Sequence, residues 1–414
     1  MRKTILLMLT AGFLAAGFAA WESIGPYGGT LGSFAASTDE SAFYSCSANT
    51  PAMILKSSDS GANWLNVGSI NDYVYSLAVD PVNPNIVYAG AMSYVYKSTN
   101  GGSSWVSYAL PVNSYYAYSM AVNPSSPSIV YASGYYYNGS ASVVACYKST
   151  NAGVSWQSTP LSSYSGMGYS VTVDPVSPQN VYLCGYYWNT DYHPCVYKST
   201  NNGTSFTETS NGFPARALYV QSIKVHPTNG SIIYAGTNSA GIFRSTDAGA
   251  SWTGGDTTWR LIASLSAQPI SPNVCYAGGD TLIHKTTDAG VTWSPIHLDF
   301  AGTGKSTRIV HASRVSSSMV VTTDAKGFFK STNGGGNWYE SNHGITIAAA
   351  GALSAAPSAP ATVYTEYEGV GVYRSTDNGT SWLRLPTPLE CGAICEFAVH
   401  RTNPNNLMGL EGLG

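Results

Sequence analysis

The sequence predicts an all-β protein, a single β-propeller of four-stranded blades, on three observations. A turn-forming octapeptide recurs eight times, an apolar hairpin signature precedes it, and the composition favours strands. Of 414 residues, 30 are Tyr, 10 Trp and 43 Gly, and only 10% are charged. Tyr, Val, Ser and Thr are plentiful while the helix formers Glu and Lys are scarce. No stretch sustains the 3.6-residue period of an amphipathic helix.

The octapeptide occurs as SSDSGANW (57–64), STNGGSSW (98–105), STNAGVSW (149–156), STNNGTSF (199–206), STDAGASW (245–252), TTDAGVTW (286–293), STNGGGNW (331–338) and STDNGTSW (375–382). Its third positions are Asp59, Asn100, Asn151, Asn201, Asp247, Asp288, Asn333 and Asp377, and its closing aromatics are Trp64, Trp105, Trp156, Phe206, Trp252, Trp293, Trp338 and Trp382. Asp or Asn accepts a bond from the backbone two residues on, Gly supplies a positive φ, and the Ser or Thr hydroxyl adds a local bond. The aromatic is expected to plug the space between neighbouring sheets. Asn stands in for Asp in four of the eight copies, which suits a turn acceptor better than a catalytic carboxylate or calcium ligand.

The second signature reads LAVDPVNPNIVYAG (77–90), MAVNPSSPSIVYASG (120–134), VTVDPVSPQNVYLCG (171–185) and IKVHPTNGSIIYAG (223–236). Two apolar stretches around a Pro-bearing turn make a β-hairpin. A third strand, such as YVYKST or GIFRST, leads into the octapeptide, and a fourth starts at the closing aromatic. Four strands in about 45 residues is the size of a propeller blade.

The pattern S/T-x-D/N-x-G-x-x-W resembles the Asp box, or BNR repeat, of sialidases, sortilin-type receptors, xyloglucanase-type glycoside hydrolases and photosystem-assembly propellers. With the VDPxNPxxVYAG hairpin ahead of it, the repeat is most similar to the sortilin and xyloglucanase style. The resemblance covers nearly the whole mature chain and implies the propeller fold. Its members include enzymes, receptors and assembly factors, so it implies no single activity.

Eight boxes imply about eight blades, with a range of seven to nine set by the chain ends. AAWESIGPYG (19–28) is similar to a strand that follows a box, and FAVHRTNPNNLMGLEG (397–412) repeats the opening hairpin of a ninth unit. The expectation is a propeller over 20–414 in which either the ninth blade is degenerate or the C-terminus is cut within that ninth repeat. Residues 1–19 read as a secretory signal: Arg2 and Lys3, then TILLMLTAGFLAAG, then the small-x-small site Gly17-Phe18-Ala19. The apolar run is shorter than the roughly 20 residues of a spanning helix. The first Cys is Cys46, so no lipid-modified N-terminus is expected. The mature chain is read as secreted or periplasmic, with no membrane span.

A net charge of −3 argues against nucleic acid or an anionic membrane as partner. Seven cysteines in an exported chain permit disulfides. Cys184 and Cys195 flank an aromatic loop, and Cys391 and Cys395 are the other close pair; these are the candidate disulfide residues. Neither pair has the second pair or His cluster of a zinc site, and Cys46, Cys146 and Cys275 read as small core residues. No metal site and no cofactor motif is read: there is no G-x-S-x-G, H-E-x-x-H, phosphate loop or calcium loop. AGTGKST (301–307) lacks the phosphate-loop spacing.

The chemistry is expected on the face opposite the hairpin turns and boxes. Loops joining blades there carry Tyr73, Tyr75, Tyr115, Tyr116, Tyr118, Tyr164 and Tyr169, and the two longest loops within blades carry Tyr135, Tyr136, Tyr137, Tyr186, Tyr187, Trp188 and Tyr192. Later blades are sparser, with Tyr219, Trp259, Arg260, Arg308 and His343. The candidate ligand-binding residues are Tyr115, Tyr116, Tyr118, Tyr136, Tyr137, Tyr186, Tyr187, Trp188, Tyr192 and Trp259. Such rings stack on sugar faces or anchor a protein, and they also pack on one another.

No catalytic residue is assigned. A sialidase-like site needs three converging arginines; Arg244 and Arg374 precede boxes, leaving Arg216, Arg260, Arg308 and Arg314 without the Arg-Ile-Pro segment. A xyloglucanase-like site needs two facing carboxylates. Asp80 and Asp174 lie in hairpin turns on the other face, while Asp72, Asp191, Asp256, Asp280, Glu366 and Glu368 reach the aromatic face with no pair distinguished. The reading is an exported, non-enzymatic binding, adhesion or scaffold module for a glycan or an extracellular or periplasmic protein. The alternative is a polysaccharide-active glycoside hydrolase of the xyloglucanase-like type, or a sialidase-like enzyme. Ligand identity and oligomeric state are not legible in the sequence.

Overall fold

A computed structural model describes residues 31–214, 217–255, 261–279, 282–296, 307–323, 327–341, 350–367, 371–377, 382–385, 394–399, 403–405 and 407–411. The regular elements of these residues are all strands, paired antiparallel. The 1–19 segment, Cys391 and Trp259 lie outside them. Among the described residues no helix is long and apolar enough to cross a membrane.

The first sheet runs Leu31–Ala36, Phe43–Ser47, Ala52–Ser57, Leu65–Ile70, in that order, and the second Ser76–Val79, Val87–Gly90, Tyr94–Ser98, Val106–Ala109. The third comprises Ser114–Val122, Val130–Tyr137 and Ser142–Ser149, and the fourth Val181–Asn189, Asp191–Ser199 and Thr207–Glu208. A single 17-residue strand, Gln157–Val173, is both the outer strand of the third and the inner strand of the fourth. The two therefore form one seven-stranded sheet. Fifth, sixth and seventh sheets begin at Val220, Ser264 and Thr307. A further four-stranded sheet begins at Ala350, and the hairpin Ile394–Val399 with Leu407–Glu411 follows it.

In most units the second strand carries a tyrosine and a glycine and is buried because a sheet lies on either side of it, as in Val87–Gly90. Its tyrosine faces the next sheet: Tyr44 donates to Pro84 O at 2.8 Å and Tyr182 to Ala248 O at 3.2 Å. Its glycine serves close approach. A Cβ at Gly90 would lie 2.5 Å from Ala117 O, and one at Gly185 1.9 Å from Met167 O. That contact distance excludes every other residue.

The octapeptide is a hydrogen-bonded turn. Ser98 Oγ accepts from Gly102 N at 2.8 Å and donates to Asn100 Oδ1 at 2.9 Å, and Asn100 Oδ1 accepts from Ser104 N at 2.9 Å. The backbone bond thus runs to the residue four on rather than two on. Asn and Asp copies differ only in the last contact. Asn100 Nδ2 donates to Ser104 Oγ at 2.8 Å, whereas Asp247 Oδ2 accepts from Ser251 Oγ at 2.5 Å.

The turns also link the sheets into a ring. Lys97 Nζ donates to Ala152 O, Lys198 Nζ to Ala248 O, Arg244 Nε to Ala289 O and Lys285 Nζ to Gly334 O, each reaching the fourth octapeptide residue of the next sheet. Lys330 of the seventh sheet makes this link to Ser60 of the first. Trp252 Nε1 donates to Thr209 O behind it, and Trp64 Nε1 makes the corresponding bond to Ser341 O. Trp64 stacks on Phe328 with ring centroids 4.4 Å apart, and Leu31, Phe43 and Leu55 share a cluster with Val320 and Phe328. The seventh sheet thus meets the first, although the sequence carries eight octapeptides. The Ala350 sheet instead reaches the 394–411 hairpin, through Tyr364 to Pro404 O and Arg374 Nη1 to Asn405 Oδ1.

One expectation is corrected here. Cys184 pairs with Val196 and Cys195 with Gly185, so the two thiols leave opposite faces of the sheet. Cys184 is buried with Val196 and Val220, and Cys195 with Val144 and Cys146. Both are free thiols and do not staple the strands.

Candidate functional site

Two local irregularities lift aromatic side chains out of the ring. The first is a register shift between Ser114–Val122 and Val130–Tyr137. Tyr116 takes φ 60° there, which is costly for a residue with a Cβ. The bulge brings Tyr116 and Tyr118 to one face, stacked at 4.9 Å and 3°. Tyr115 stacks on Tyr135 at 5.3 Å. The buried Tyr147 hydroxyl braces that pair, accepting from Tyr115 N at 3.0 Å and lying 2.5 Å from Tyr135 O.

The second is the shared strand Gln157–Val173. Ser165 pairs with Val143 on one side and Trp188 on the other, joining the hairpin tips of the third and fourth sheets. Alternation along the fourth-sheet hairpin then divides its aromatics. Tyr186, Trp188 and Tyr192 share a face with Met167 and Ser165, while Tyr187 and His193 take the other with Tyr164. A Cβ at Gly166 would lie 2.2 Å from Tyr186 O, so glycine is required for this approach.

A continuous run of rings results. Tyr73 meets Tyr75 at 4.8 Å, Tyr75 meets Tyr116 at 5.1 Å and Tyr118 at 5.5 Å, and Tyr118 meets Tyr169 at 5.9 Å. Tyr169 continues to Tyr186 at 5.8 Å, and Tyr186 to Tyr219 at 4.6 Å and Tyr192 at 5.4 Å. Trp188 sits edge-on to Tyr192 at 4.7 Å, with 46% of its surface exposed. The rings of Tyr186, Trp188 and Tyr192 border an open hollow of about 150 Å³, completed by Ser142, Ser165, Gly166 and Met167.

Of the candidate binding residues, Tyr115, Tyr116, Tyr118, Tyr186, Trp188 and Tyr192 belong to this surface. Tyr136 does not: it packs inward on the cluster around Val130 and Ala145. Tyr137 bonds Gly139 O at its own hairpin tip, and Tyr187 faces away from the hollow. Met167 and Tyr147 carried no aromatic-loop signal, and only the register places them here.

The rings themselves carry no charge. Burial, then neighbouring phenols, pushes Tyr118 and Tyr169 well above the usual phenol range. Burial and the hydrogen bond with Tyr192 push Tyr219 up to about 12. These three hydroxyls therefore stay protonated as donors and acceptors at physiological pH. One carboxylate lies within the run. Asp72 Oδ1 accepts from Tyr73 N at 2.7 Å and Oδ2 from Tyr96 Oη at 3.3 Å. Burial first and Asp72 second raise the Tyr96 phenol. Asp191, exposed at a hairpin tip, accepts from Tyr192 N at 2.8 Å. Asp80 and Asp174 are buried in the hairpin turns, where Asp80 Oδ1 accepts from Val82 N and Asn83 N, and Asp174 Oδ1 from Val176 N and Ser177 N. Asp256, Asp280 and Glu368 lie outside the described residues.

No protein-family model matches the chain. Among curated proteins it is similar to xyloglucanase Xgh74A of Acetivibrio thermocellus, 25% identical over 32% of this chain and 20% of the relative. It is also similar to a xyloglucanase of a Paenibacillus species, 25% identical over 59% of this chain and 22% of the relative. The matched region spans about a fifth of these relatives' own length. Among solved structures, the GH74 xyloglucanase from Xanthomonas campestris aligns with TM-score 0.63 and 14% identity, covering 95% of this chain and 76% of that chain. YCF48 from Cyanidioschyzon merolae aligns with TM-score 0.53 and 14% identity, covering 76% of this chain and 99% of that chain. Both are β-propeller proteins, and at these identities the likeness concerns the fold. The curated relatives correct the expectation of a non-enzymatic binding or adhesion module. They are named as xyloglucanases, which favours the glycoside hydrolase alternative.

Proposed function

We propose that this chain is the substrate-holding propeller of a glycoside hydrolase of the xyloglucanase-like type, acting on a neutral polysaccharide such as xyloglucan. The observation that carries the reading is the run of phenol rings from Tyr73 to Tyr219, in a chain whose curated relatives are xyloglucanases. Sugar rings lie flat on such aromatic faces while their hydroxyls bond the phenols. Protonated, uncharged hydroxyls suit a neutral chain over an anionic one.

Glycosidic cleavage takes two carboxyl groups roughly 5–10 Å apart, the spacing depending on mechanism. Asp72 takes one of these roles in the proposal, because it is held among Tyr73, Tyr75 and Tyr96 on the polysaccharide path. Its partner is sought among Asp191, Asp256, Asp280, Glu366 and Glu368. The octapeptides are Asp boxes in this reading and serve the scaffold, and the 1–19 segment exports the chain to where its polysaccharide is found. Release of new reducing ends from xyloglucan by the wild-type chain, and its loss in Asp72→Asn, tests the proposal.

A further inference from the structure

The hollow beside Trp188 lies at the other end of the ring run from Asp72, and its chemistry is different. It lies between two hairpins that the shared strand Gln157–Val173 ties together, with Ser142 from one and Tyr186, Trp188 and Tyr192 from the other. Neither acid nor base lines it. Its walls offer an indole face, two phenols, a thioether and two small hydroxyls. About 150 Å³ is well below the roughly 300–1,000 Å³ of pockets that engulf a drug-sized ligand, so it accommodates one ring and not a buried chain.

We propose that this hollow is a second, non-catalytic site that seats one neutral sugar ring of the polysaccharide, with the ring flat on Trp188 and its hydroxyls bonded to Tyr186, Tyr192, Ser142 and Ser165. Trp188 is fit for this role. It is half-exposed in a position where apolar surface gains nothing from the fold, yet Tyr192 fixes its edge at 4.7 Å and cross-strand pairing with Ser165 fixes its backbone. A preset ring loses little freedom when a ligand stacks on it. The absence of a carboxylate from the lining separates holding from cleavage. The class of ligand rests on the hydrolase reading; the existence of the site does not.

Calorimetric titration with xyloglucan oligosaccharides tests the site, alongside a turnover assay on the same chains. The wild-type chain is expected to bind at two classes of site. Trp188→Ala, and Ser142→Trp, which fills the hollow, are expected to weaken the second class roughly tenfold or more, while Trp188→Phe retains most of it. Wild-type stoichiometry and affinity in both Trp188→Ala and Ser142→Trp would overturn the site, whatever the turnover. Two-class binding lost in these variants with no turnover in any of them would uphold the site and overturn the hydrolase reading.

Discussion

Lys330 Nζ lies 2.7 Å from the carbonyl oxygen of Ser60, 270 residues earlier in the chain. The bond repeats at the seam the link that Lys97 makes to Ala152 and Lys285 to Gly334. The ring therefore closes by the same interaction that links four other pairs of neighbouring sheets, with no special closing strand among the described residues. At the seam Trp64, only 1% exposed, stacks on Phe328 and donates to Ser341 O.

Trp64→Ala is expected to destabilise the chain by about 3–5 kcal/mol, the cost of emptying a buried indole site. Trp105→Ala, at a half-buried copy, is expected to cost less. Denaturant unfolding measures both, and an equal, small effect would show that closure does not depend on this plug.

Glu40 is a second seam contact, and it titrates. Its carboxylate accepts from Ser313 Oγ at 2.7 Å and Arg314 N at 2.5 Å and lies 3.3 Å from His311 Nε2. Burial opposes its ionisation, but the bonds from His311, Arg314 and Ser313 prevail and hold its pKa below the usual value. A depressed folded pKa adds stability above the unfolded pKa, about 4.3 for Glu, and that stability is lost as the pH falls through the folded value. Glu40→Gln is expected to cost about 1–3 kcal/mol at pH 7, with the difference from wild type shrinking below pH 4. A pH-independent difference in unfolding free energy would contradict this.

The octapeptide separates two kinds of substitution. Asn100→Asp is expected to be neutral within about 0.5 kcal/mol, because Asp247 accepts the equivalent backbone bond in its own turn. Ser98→Ala leaves the buried Gly102 N–H without its acceptor and is expected to cost about 1–3 kcal/mol. Thermal unfolding of the two variants side by side decides it. A costly Asn100→Asp with a neutral Ser98→Ala would reverse the assignment.

Tyr118 joins Tyr75 to Tyr169 at the middle of the ring run. Tyr118→Ala is expected to weaken xyloglucan binding roughly tenfold, about 1.4 kcal/mol. Tyr136→Ala, whose ring packs inward, is expected to lower stability instead of affinity. Affinity electrophoresis with melting curves separates the two outcomes.

The fold was legible because it is periodic. Each octapeptide and each VYAG-type strand announces one unit of antiparallel strands; Gly90 stands where the next sheet comes within contact, and Gly185 where the neighbouring strand of its own sheet does. Local signals did not reveal non-local ones. Nothing near Glu40 or Ser341 marks them as seam partners, since their contacts come from the far end of the ring. The tyrosine-rich loops were visible, but which rings share a face depends on register. The Tyr116 bulge and the Ser165 junction reset that register, which is why Tyr136 and Tyr187 leave the surface and Met167 enters its edge. Register also separates the thiols of Cys184 and Cys195: close in sequence, they sit one residue out of register on opposite faces.

The most direct test of the hydrolase reading is the time course of reducing-end release from xyloglucan by the full chain, beside its Asp72→Asn variant at matched folding. Steady turnover is expected of the wild type, with a loss of at least about a hundredfold in kcat for Asp72→Asn, on the order of the 10²–10⁴ contributed by a general acid or base. Binding of xyloglucan without turnover, or unchanged turnover in Asp72→Asn, would contradict it.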